Sequence, residues 1–498
     1  MKKQALNPYL PLNTYIPDGE PHVFGDRVYV YGSHDMEGGR CYCLLDYECW
    51  SAPIDDLGDW RCEGTIYRAE QCPHYCRERQ DMYAPDVVQG NDGRFYLYYD
   101  LSGRGNHGFD GPISVAVCDT PAGKYEYYGD VRYPDGRPLQ RFIPFDPAVL
   151  NDNGRIWLTY GWGLGMDTHA FPLNAVMPSV MSKIFNKTRT EIRGEEPQSI
   201  LGANIVELED DMLTVKSEPK RILPALNNAP KGSEFRRHSF FEAASLRKFG
   251  ELYYFIYSSH AGHELCYATS RYPDRDYTYR GVIISNGDVG YHGRQAKDRL
   301  ALTGTNHGSI EEINGRHYIF YHRNTHKTGF SRQGCAEPIT IEPDGTIAQV
   351  EMTSCGLNGE PLRAEGTYPA ALACNLTNGK MPHLHSTIIK RPLPHITHDD
   401  RDRFVAEISD GTMLGFKYFS FTGGESLRIT TRGTGNGEFL VSGEQDGGAT
   451  AVISVRPSGK WSQSETVRLT GLSGISGLFL RYRGTGSVEI LKIEFVRV

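Results

Sequence analysis

A short pattern of glycine followed by alternating aromatic residues recurs five times in the N-terminal part of the chain. In each repeat a glycine precedes a strand-like run such as Arg94–Tyr99, and the glycines are Gly25, Gly93, Gly154, Gly250 and Gly315. A glycine turn beside alternating positions predicts a β-hairpin. The repeats are about 60 to 70 residues apart, with one interval near 96, and a unit of this length is typical of a propeller blade. The pattern therefore predicts a five-bladed β-propeller.

The widest interval, between the third and fourth repeats, contains an insertion at residues 164–200. Within it, residues 173–187 carry apolar side chains at near-helical spacing. This spacing predicts a short helix on a loop over one propeller face. Loops on such a rim often shape a pocket, so we expect the insertion to build a pocket wall.

The pattern changes after a segment rich in proline and histidine at residues 384–398. Short alternating strands then follow, separated by Gly-rich turns, as in Leu414–Phe421, Ser426–Thr431 and Val488–Phe495. About 100 residues of this pattern predict a β-sandwich of the jelly-roll type. We therefore expect an all-β chain with a propeller over residues 1–385 and a sandwich over residues 386–498.

An ionisable residue lies seven or eight positions before each repeat glycine. The set is Asp18, Asp86, Asp146, Glu242 and His307. A single Asp-Pro or Pro-Asp pair is more often a turn than a functional site. The strand before each hairpin is the innermost one in a propeller, however, and equivalent positions on inner strands converge near the central axis. The shared register therefore predicts a ring of acids around a funnel.

Carboxylates at the mouth of an aromatic-lined funnel favour glycoside hydrolysis. One acid of raised pKa protonates the leaving oxygen, and a second carboxylate activates water. Neighbouring like charges keep the acid protonated near neutral pH. A non-catalytic sugar-binding propeller is the alternative from another class. A scaffold protein is disfavoured, because buried carboxylates are costly without a ligand or an ion.

Composition narrows the class of protein. The 498 residues include 55 glycines and are 11% aromatic, which is typical of a turn-rich, strand-rich protein. The net charge of −8 disfavours nucleic acid and anionic membranes as partners, and no apolar run approaches the ~18 residues of a membrane span.

The N-terminal residues lack the apolar stretch of a signal peptide, so we expect a cytoplasmic protein. The 11 irregularly spaced cysteines predict free thiols, and the oligomeric state stays open.

Five stretches of the chain resemble glycoside hydrolase family 43, the five-bladed propellers that act on arabinose- and xylose-containing glycans. These stretches are NPYLPLNTYIPDGEPHVFGDRVYVYGSHD, YAPDVVQGNDGRFYLYYD, FDPAVLNDNGRIWLTYG, FFEAASLRKFGELYYFIYSS and TNHGSIEEINGRHYIFYH. The resemblance implies that Asp18 is the general base and Glu242 the general acid. It implies that Asp146 orients this acid and tunes its pKa. The family inverts the anomeric carbon, and the base holds the attacking water.

The resemblance suggests further site residues. Asp86 shares the repeat position but is not in the family's catalytic trio, so it is either structural or in contact with substrate. Arg332 resembles an arginine that reaches the active centre from the last blade. His34 and Trp162 follow hairpins and are candidates for substrate contact. His307 matches an axial histidine near a central ion, often calcium, so we expect one Ca²⁺ at the propeller axis.

The resemblance implies an inverting exo-glycosidase that removes terminal α-L-arabinofuranosyl residues from oligosaccharides or glycan side chains. A β-xylosidase and a β-D-galactofuranosidase are alternatives of the same fold, because they share the acid, the base and the modulator. The C-terminal part resembles the fold of carbohydrate-binding module family 6. Trp461 and Tyr418 in that part are either sugar-stacking platforms or packed aromatic residues.

Overall fold

Successive β-sheets follow one another along the N-terminal part of the chain, as the glycine repeats predict. The computed structural model describes residues 3–103, 111–165, 173–184, 186–193, 198–384 and 388–497. The first blade consists of β1 (Glu20–Phe24), β2 (Arg27–Tyr31), β3 (Tyr47–Pro53) and β4 (Arg61–Tyr67). In the second blade, β7 pairs with two short strands and with β8, and the members are β5 (Arg79–Met82), β6 (Asp86–Gln89), β7 (Phe95–Gly103), β8 (Ile113–Cys118) and β9 (Glu126–Asp130).

Blades three to five repeat this antiparallel arrangement. The third contains β10 (Ala148–Asp152), β11 (Arg155–Trp162), β12 (Gly202–Leu208) and β13 (Lys220–Pro224). The fourth contains β14 (Phe240–Phe249), β15 (Leu252–Ser259), β16 (Glu264–Ser270) and β17 (Thr278–Ser285). After the short β18 (Thr303–Gly304), the fifth contains β19 (Ile310–Ile313), β20 (Arg316–Asn324) and β21 (Arg332–Ile339). The predicted five-bladed propeller is confirmed.

The innermost strands β1, β6, β10, β14 and β19 surround the axis, and β1 contacts both β6 and β19. The N-terminal segment joins the first and last blades. The backbone N–H of Tyr9 donates to Gly334 O, and the Asn7 side chain donates to Ala336 O and accepts from Ala336 N–H. These bonds tie the chain start to β21 and help to close the ring.

Tyrosines of the repeats pack between neighbouring blades. Tyr98 of β7 and Tyr160 of β11 are fully buried in one apolar cluster. Their hydroxyls remain satisfied because Tyr98 donates to Met212 O at 2.7 Å and Tyr160 to Arg141 O at 3.0 Å. A large ring that buries its body and pairs its hydroxyl stabilises a blade interface without an unpaired polar group.

The insertion forms α1 (Leu173–Ile184) and α2 (Arg189–Arg193), in agreement with the predicted helix, and a third short helix is α3 (Glu234–Arg237). Residues 166–172, 185 and 194–197 of the insertion lie outside the described residues, so the expected pocket wall stays a prediction. Short 3-10 turns occupy Ala69–Gln71, Tyr291–Gly293, Ala296–Asp298, Gly356–Asn358 and Ala370–Leu372.

The C-terminal part is a sandwich of two β-sheets around one apolar core. One sheet contains β22 (Leu362–Arg363), β24 (Asn375–Thr377), β28 (Met413–Phe421), β30 (Asn436–Ser442), β31 (Ala451–Val455) and β34 (Gly474–Thr485). The other contains β23 (Gly366–Pro369), β26 (His395–His398), β27 (Arg403–Ile408), β29 (Glu425–Gly433), β32 (Ser462–Gln463), β33 (Val467–Arg468) and β35 (Val488–Arg497). The strand β25 (His383–Leu384) pairs instead with β18.

The sheets of the sandwich start upstream of the predicted boundary at residue 385. The strands β22, β23 and β24 lie before that residue, yet they pair with β28 and β35. Buried Leu362, Tyr368 and Leu376 belong to the same apolar core as the later strands. The segment between the fifth blade and residue 385 therefore contributes edge strands to the sandwich.

No disulfide bond joins cysteines among the described residues. Among the described residues, no helix has the length and hydropathy of a membrane span.

Candidate active site

The residues before the repeat glycines meet at the starts of the inner strands. Asp18 and Asp146 each lie two residues before an inner strand, Glu242 lies in β14, and His307 lies just before β19. The His307 Nδ1 atom is 3.8 Å from a carboxylate oxygen of Asp18 and 3.8 Å from one of Asp146. Four of the five repeat positions therefore converge at one end of the axis.

The backbone is unusual where these side chains leave it. Asp18, Asp146 and Ala243 have φ values of 57°, 46° and 65°, in the left-handed region that residues other than glycine seldom adopt. The pairing of β14 with β15 also shifts register at Glu242, and such a bulge re-aims a side chain. Left-handed residues cluster at functional sites, where the surrounding structure holds them.

Asp18 lies beside the Arg332 guanidinium and the imidazoles of His322 and His307. The Arg332 Nη1 atom donates to Asp18 Oδ1 at 2.7 Å, and His322 Nδ1 is 3.3 Å from the same oxygen. Asp18 is only 4% exposed. Burial favours the neutral acid, yet Arg332 and His322 outweigh it and hold the Asp18 pKa well below its usual range. Asp18 is thus an ionised carboxylate at neutral pH.

A second carboxylate fixes the arginine that serves Asp18. Asp35 accepts two hydrogen bonds from the Arg332 guanidinium, at 2.8 and 3.0 Å, and one from its backbone N–H at 3.1 Å. The ring of Tyr42 lies 4.8 Å from the guanidinium carbon. This bidentate pair leaves Nη1 of Arg332 directed at Asp18.

Glu242 has the opposite electrostatic environment. Burial and the negative charge of Asp18 raise the pKa of Glu242 to about 7, although Arg332 and a hydrogen bond from Trp162 oppose the rise. A carboxyl in this range is partly protonated near neutral pH and has a proton to donate. The site thus combines an ionised carboxylate with a carboxyl that is partly protonated near neutral pH.

Asp146 links the third blade to the strand that carries Glu242. Its Oδ2 atom accepts a hydrogen bond from the backbone N–H of Ala243 at 3.0 Å. Burial and the charges of Glu242, Asp100 and Asp18 raise the pKa of Asp146 well above its usual value. Because Ala243 follows Glu242 directly, this bond fixes the backbone from which the Glu242 side chain projects.

Asp86 lies in a different group, deeper along the axis. Its Oδ1 atom is 2.6 Å from His22 Nε2, and its Oδ2 atom accepts from the Val149 N–H at 2.8 Å. It is fully buried. Both oxygens are therefore used within the protein, which favours the structural alternative over substrate contact. Glu20 and Arg247 complete this layer, with Arg247 Nη2 on Glu20 Oε2 at 2.5 Å.

Of two further sequence candidates, His34 follows β2 and Trp162 ends β11. His34 is partly buried, and its Nδ1 atom lies 2.9 Å from Asp46 O. Trp162 is partly buried beside Phe241, with ring centroids 5.6 Å apart. Since the Trp162 side chain hydrogen bonds to Glu242, it holds that carboxyl whether or not its ring stacks on a sugar. Substrate contact by either residue stays a prediction.

The aromatic candidates of the sandwich are engaged by protein groups. The Trp461 indole N–H donates to Asp402 at 2.9 Å, and the Arg432 guanidinium lies 4.2 Å from its ring. The Tyr418 hydroxyl donates to Glu351 at 2.5 Å. This packing favours the structural alternative for both residues, and sugar binding by the sandwich stays a prediction.

Several residues of the site are not evident from the repeat register. Asp35 follows β2 and His322 lies near the end of β20, and neither is at the shared position. Glu20 is the first residue of β1 and lies two residues after Asp18. Its nearness in sequence to a repeat position is a signal available in the sequence. Arg247 has no such signal, since its partner Glu20 lies 227 residues away.

Comparison with known proteins agrees with this geometry. Residues 11–188 match the model of glycosyl hydrolases family 43. A xylosidase/arabinosidase of Thermoclostridium stercorarium is 45% identical over 98% of both chains, and one of Bacteroides ovatus is 29% identical over 63% of this chain and 87% of its own. A solved β-xylosidase/α-arabinofuranosidase from a compost metagenome, with xylotriose and in calcium-free form, is 27% identical with a TM-score of 0.51, covering 68% of this chain and 96% of its own. With a relative this similar over nearly its whole length, the chain belongs to glycosyl hydrolases family 43 and is a glycoside hydrolase.

Proposed function

We propose that the protein is an inverting exo-glycosidase that removes terminal α-L-arabinofuranosyl residues, with Asp18 as general base, Glu242 as general acid and Asp146 as modulator. One observation carries this proposal. Two neighbouring carboxyls have opposite protonation preferences, since the pKa of Asp18 is lowered and that of Glu242 is raised to about 7. Such a pair provides the acid and the base that glycoside hydrolysis needs.

In the proposed reaction, Glu242 protonates the glycosidic oxygen as the bond to the anomeric carbon breaks. Asp18 takes a proton from a water that attacks the opposite face of that carbon. The product sugar then has the inverted configuration, and Glu242 and Asp18 exchange protons with solvent before the next turnover. Asp146 supports Glu242 through Ala243, and Arg332 keeps Asp18 ionised.

The burial of the carboxyls supports exo action. Asp18 and Asp146 are each 4% exposed, so a sugar must enter a recess to reach them. A terminal residue enters such a recess more easily than the middle of a polymer. Proton NMR of the first-formed product tests the stereochemistry, because the proposal requires the inverted anomer and a retained anomer would overturn it.

The terminal sugar distinguishes the candidate activities of this site. Two relatives carry the name xylosidase/arabinosidase, which supports β-xylosidase activity as strongly as arabinofuranosidase activity. A panel of nitrophenyl α-L-arabinofuranoside, β-D-xylopyranoside and β-D-galactofuranoside separates the three activities. We expect the largest kcat/KM on the arabinofuranoside. A larger value on the xylopyranoside would make β-xylosidase the principal activity.

The axial residues fit a bound calcium ion. The Oε1 atom of Glu20 is buried without a hydrogen-bond partner and lies 4.0 Å from His307 Nε2. Burial, with help from His322 and Arg332, lowers the pKa of His307 to about 4, so its imidazole is neutral at pH 7. Glu20 and His307 would hold the ion, with water as the remaining ligands. A bound Ca²⁺ would supply positive charge at the axis.

A reducing compartment suits the unpaired cysteines. Buried Cys43, Cys266 and Cys335 lie within the propeller as free thiols. Structural disulfides are rare in the cytoplasm and common outside it. We therefore retain a cytoplasmic location as a proposal, which cell fractionation followed by immunoblotting tests directly.

A further inference from the structure

A cluster of one carboxylate and two imidazoles lies where the sandwich meets the propeller, apart from the proposed catalytic carboxyls. Glu37 is in the loop between β2 and β3, His326 is in the loop between β20 and β21, and His398 ends β26 of the sandwich. One ligand atom of each residue lies within 4.8 Å of the others. We refer to these three residues as the interdomain cluster.

The hydrogen bonds around His326 define its tautomer. The Thr325 hydroxyl donates to Ser331 O at 2.7 Å, so its oxygen is free to accept. His326 Nδ1 lies 3.0 Å from that oxygen. This nitrogen therefore carries a proton and donates it to the Thr325 hydroxyl oxygen. The neutral ring then has a lone pair on Nε2. His326 is 8% exposed, and this nitrogen is buried without a hydrogen-bond partner.

The unpaired nitrogen faces an oxygen of Glu37. His326 Nε2 is 3.7 Å from Glu37 Oε1, and His398 Nδ1 is 2.8 Å from the same oxygen. A proton on Nε2 would not fill this gap, because 3.7 Å is too long for an N–H···O hydrogen bond. A lone pair opposite a carboxylate is unfavourable, whereas a cation between them would satisfy both.

We propose that the interdomain cluster binds a divalent transition-metal ion, best represented by Zn²⁺, through His326 Nε2, Glu37 Oε1 and one nitrogen of His398. Two imidazoles and a carboxylate match zinc, whereas Ca²⁺ and Mg²⁺ prefer oxygen ligands. In a tetrahedral zinc site the ligand atoms lie about 3.3 Å apart. The two separations from Glu37 Oε1, 2.8 and 3.7 Å, fall on either side of that value.

The residues around the interdomain cluster are arranged like the groups that hydrogen bond to metal ligands. Thr325 fixes the far nitrogen of His326, and the Tyr15 hydroxyl donates to Glu37 Oε1 at 2.7 Å. Such partners orient metal ligands. Arg403 also pairs with Glu37 Oε2, and its positive charge opposes a cation. We therefore expect weaker binding than in a closed structural zinc site. Where the His398 nitrogen carries a proton, binding releases it.

A metal at this position would connect three segments. Glu37 lies two residues after Asp35, which holds Arg332, and His326 lies six residues before Arg332. His398 comes from the sandwich. The ion would therefore join the sandwich to both loops that support the environment of Asp18. This inference does not depend on the sugar or on the stereochemistry of the proposed reaction.

The test is calorimetric titration of the chelator-treated full-length protein with Zn²⁺, with saturating Ca²⁺ present to occupy any axial site. We expect one Zn²⁺ per chain, and a thermal unfolding midpoint that rises with Zn²⁺ and not with Mg²⁺. His398→Ala and His326→Ala should each weaken Zn²⁺ binding by at least about tenfold. Loss of a group that only hydrogen bonds to a metal ligand already costs about 10- to 100-fold in affinity, and these residues are proposed ligands themselves. Co²⁺ should give a ligand-field absorption band that His398→Ala removes.

His292→Ala is the matched control, because His292 is an exposed histidine outside the cluster, and it should bind Zn²⁺ as the parent does. His398 is itself exposed, so we expect its substitution to leave the fold intact, as near-ultraviolet circular dichroism checks. An absence of Zn²⁺ binding by the folded parent protein would overturn the proposal. So would binding that persists unchanged in both cluster variants, since the metal would then lie elsewhere.

Discussion

The Arg332 Nη1 atom donates to Asp18 Oδ1 over 2.7 Å, while the same guanidinium holds both oxygens of Asp35. Arg332 is 4% exposed, so its charge is little screened by solvent. One buried cation therefore serves two carboxylates that come from the first blade. The ion pair keeps the proposed base ionised, and Asp35 keeps the arginine in position.

Replacing this arginine should raise the pH at which activity is lost on the acid side. Arg332→Gln removes the positive charge, so the pKa of Asp18 rises, and the acidic limb of kcat/KM should move up by about one to three pH units. Arg332→Lys should shift the limb less, since a lysine retains charge but not the fork geometry. The measurement is the pH profile of kcat/KM on a nitrophenyl glycoside.

Arg137→Gln provides the control for this experiment, because Arg137 forms an exposed pair with Asp135 outside the site. Its pH profile should match that of the parent. If the acidic limb of Arg332→Gln stayed in place while the protein remained folded, Asp18 would not be the group that titrates there.

The alkaline limb should report Glu242. This carboxyl must be protonated to act as an acid, and burial together with Asp18 raises its pKa to about 7. In the free enzyme, kcat/KM should therefore fall as the pH rises through about 7. A profile that stays flat well above this pH would exclude Glu242 as the titrating acid.

Glu242→Gln should lower kcat by about 10² to 10⁴ while substrate binding is retained. The amide keeps the shape of the side chain but has no acidic proton. The loss should be smaller for a nitrophenyl glycoside than for an oligosaccharide, because nitrophenolate leaves with little need for protonation. The measurements are kcat on both substrates and binding of an oligosaccharide by calorimetry.

Glu312→Gln is a suitable comparison, since Glu312 is an exposed glutamate of the fifth blade. It should leave kcat unchanged. Equal losses on both substrates in Glu242→Gln would indicate that Glu242 orients the substrate and does not donate the proton.

Local patterns predict the blades because each blade is a contiguous stretch of chain. Gly93 and Gly154 have φ values of 85° and 91°, a conformation that glycine adopts at low cost, so the turns leave a visible signal. The repeat position also predicts the convergence of Asp18, Asp146 and His307, because equivalent places on inner strands are close in any propeller. In a regular propeller, residues at equivalent positions of the repeats can therefore be predicted to lie close together.

Contacts between distant segments leave no such signal. Asp35 and Arg332 are 297 residues apart, and no spacing rule relates a loop of the first blade to a strand of the last. Asp86 shows that the repeat register alone does not identify a site residue. It shares the register, yet its carboxylate pairs with His22. The sandwich strands before residue 385 also leave no clear sequence pattern, because β22 and β24 are only two and three residues long.

A buried ion pair across the two domains yields a prediction about stability. Lys417 of β28 contacts Asp288, which follows β17, at 3.1 Å, and it contacts Glu351 at 2.6 Å. Lys417 and Asp288 are 4% and 1% exposed. Lys417→Met would leave Asp288 buried without its cation, and removal of one partner of a buried pair costs about 3–5 kcal/mol. We expect a loss of this size in the free energy of unfolding, measured by urea denaturation.

The double variant Lys417→Met with Asp288→Asn separates the pair from the packing around it. Removing both charges should recover part of the loss, because the penalty arises from the uncompensated carboxylate. Lys460→Met, at an exposed lysine of the sandwich, should change the free energy of unfolding by no more than about 0.5 kcal/mol. If Lys417→Met were as stable as this surface variant, the ion pair would not stabilise the contact between propeller and sandwich.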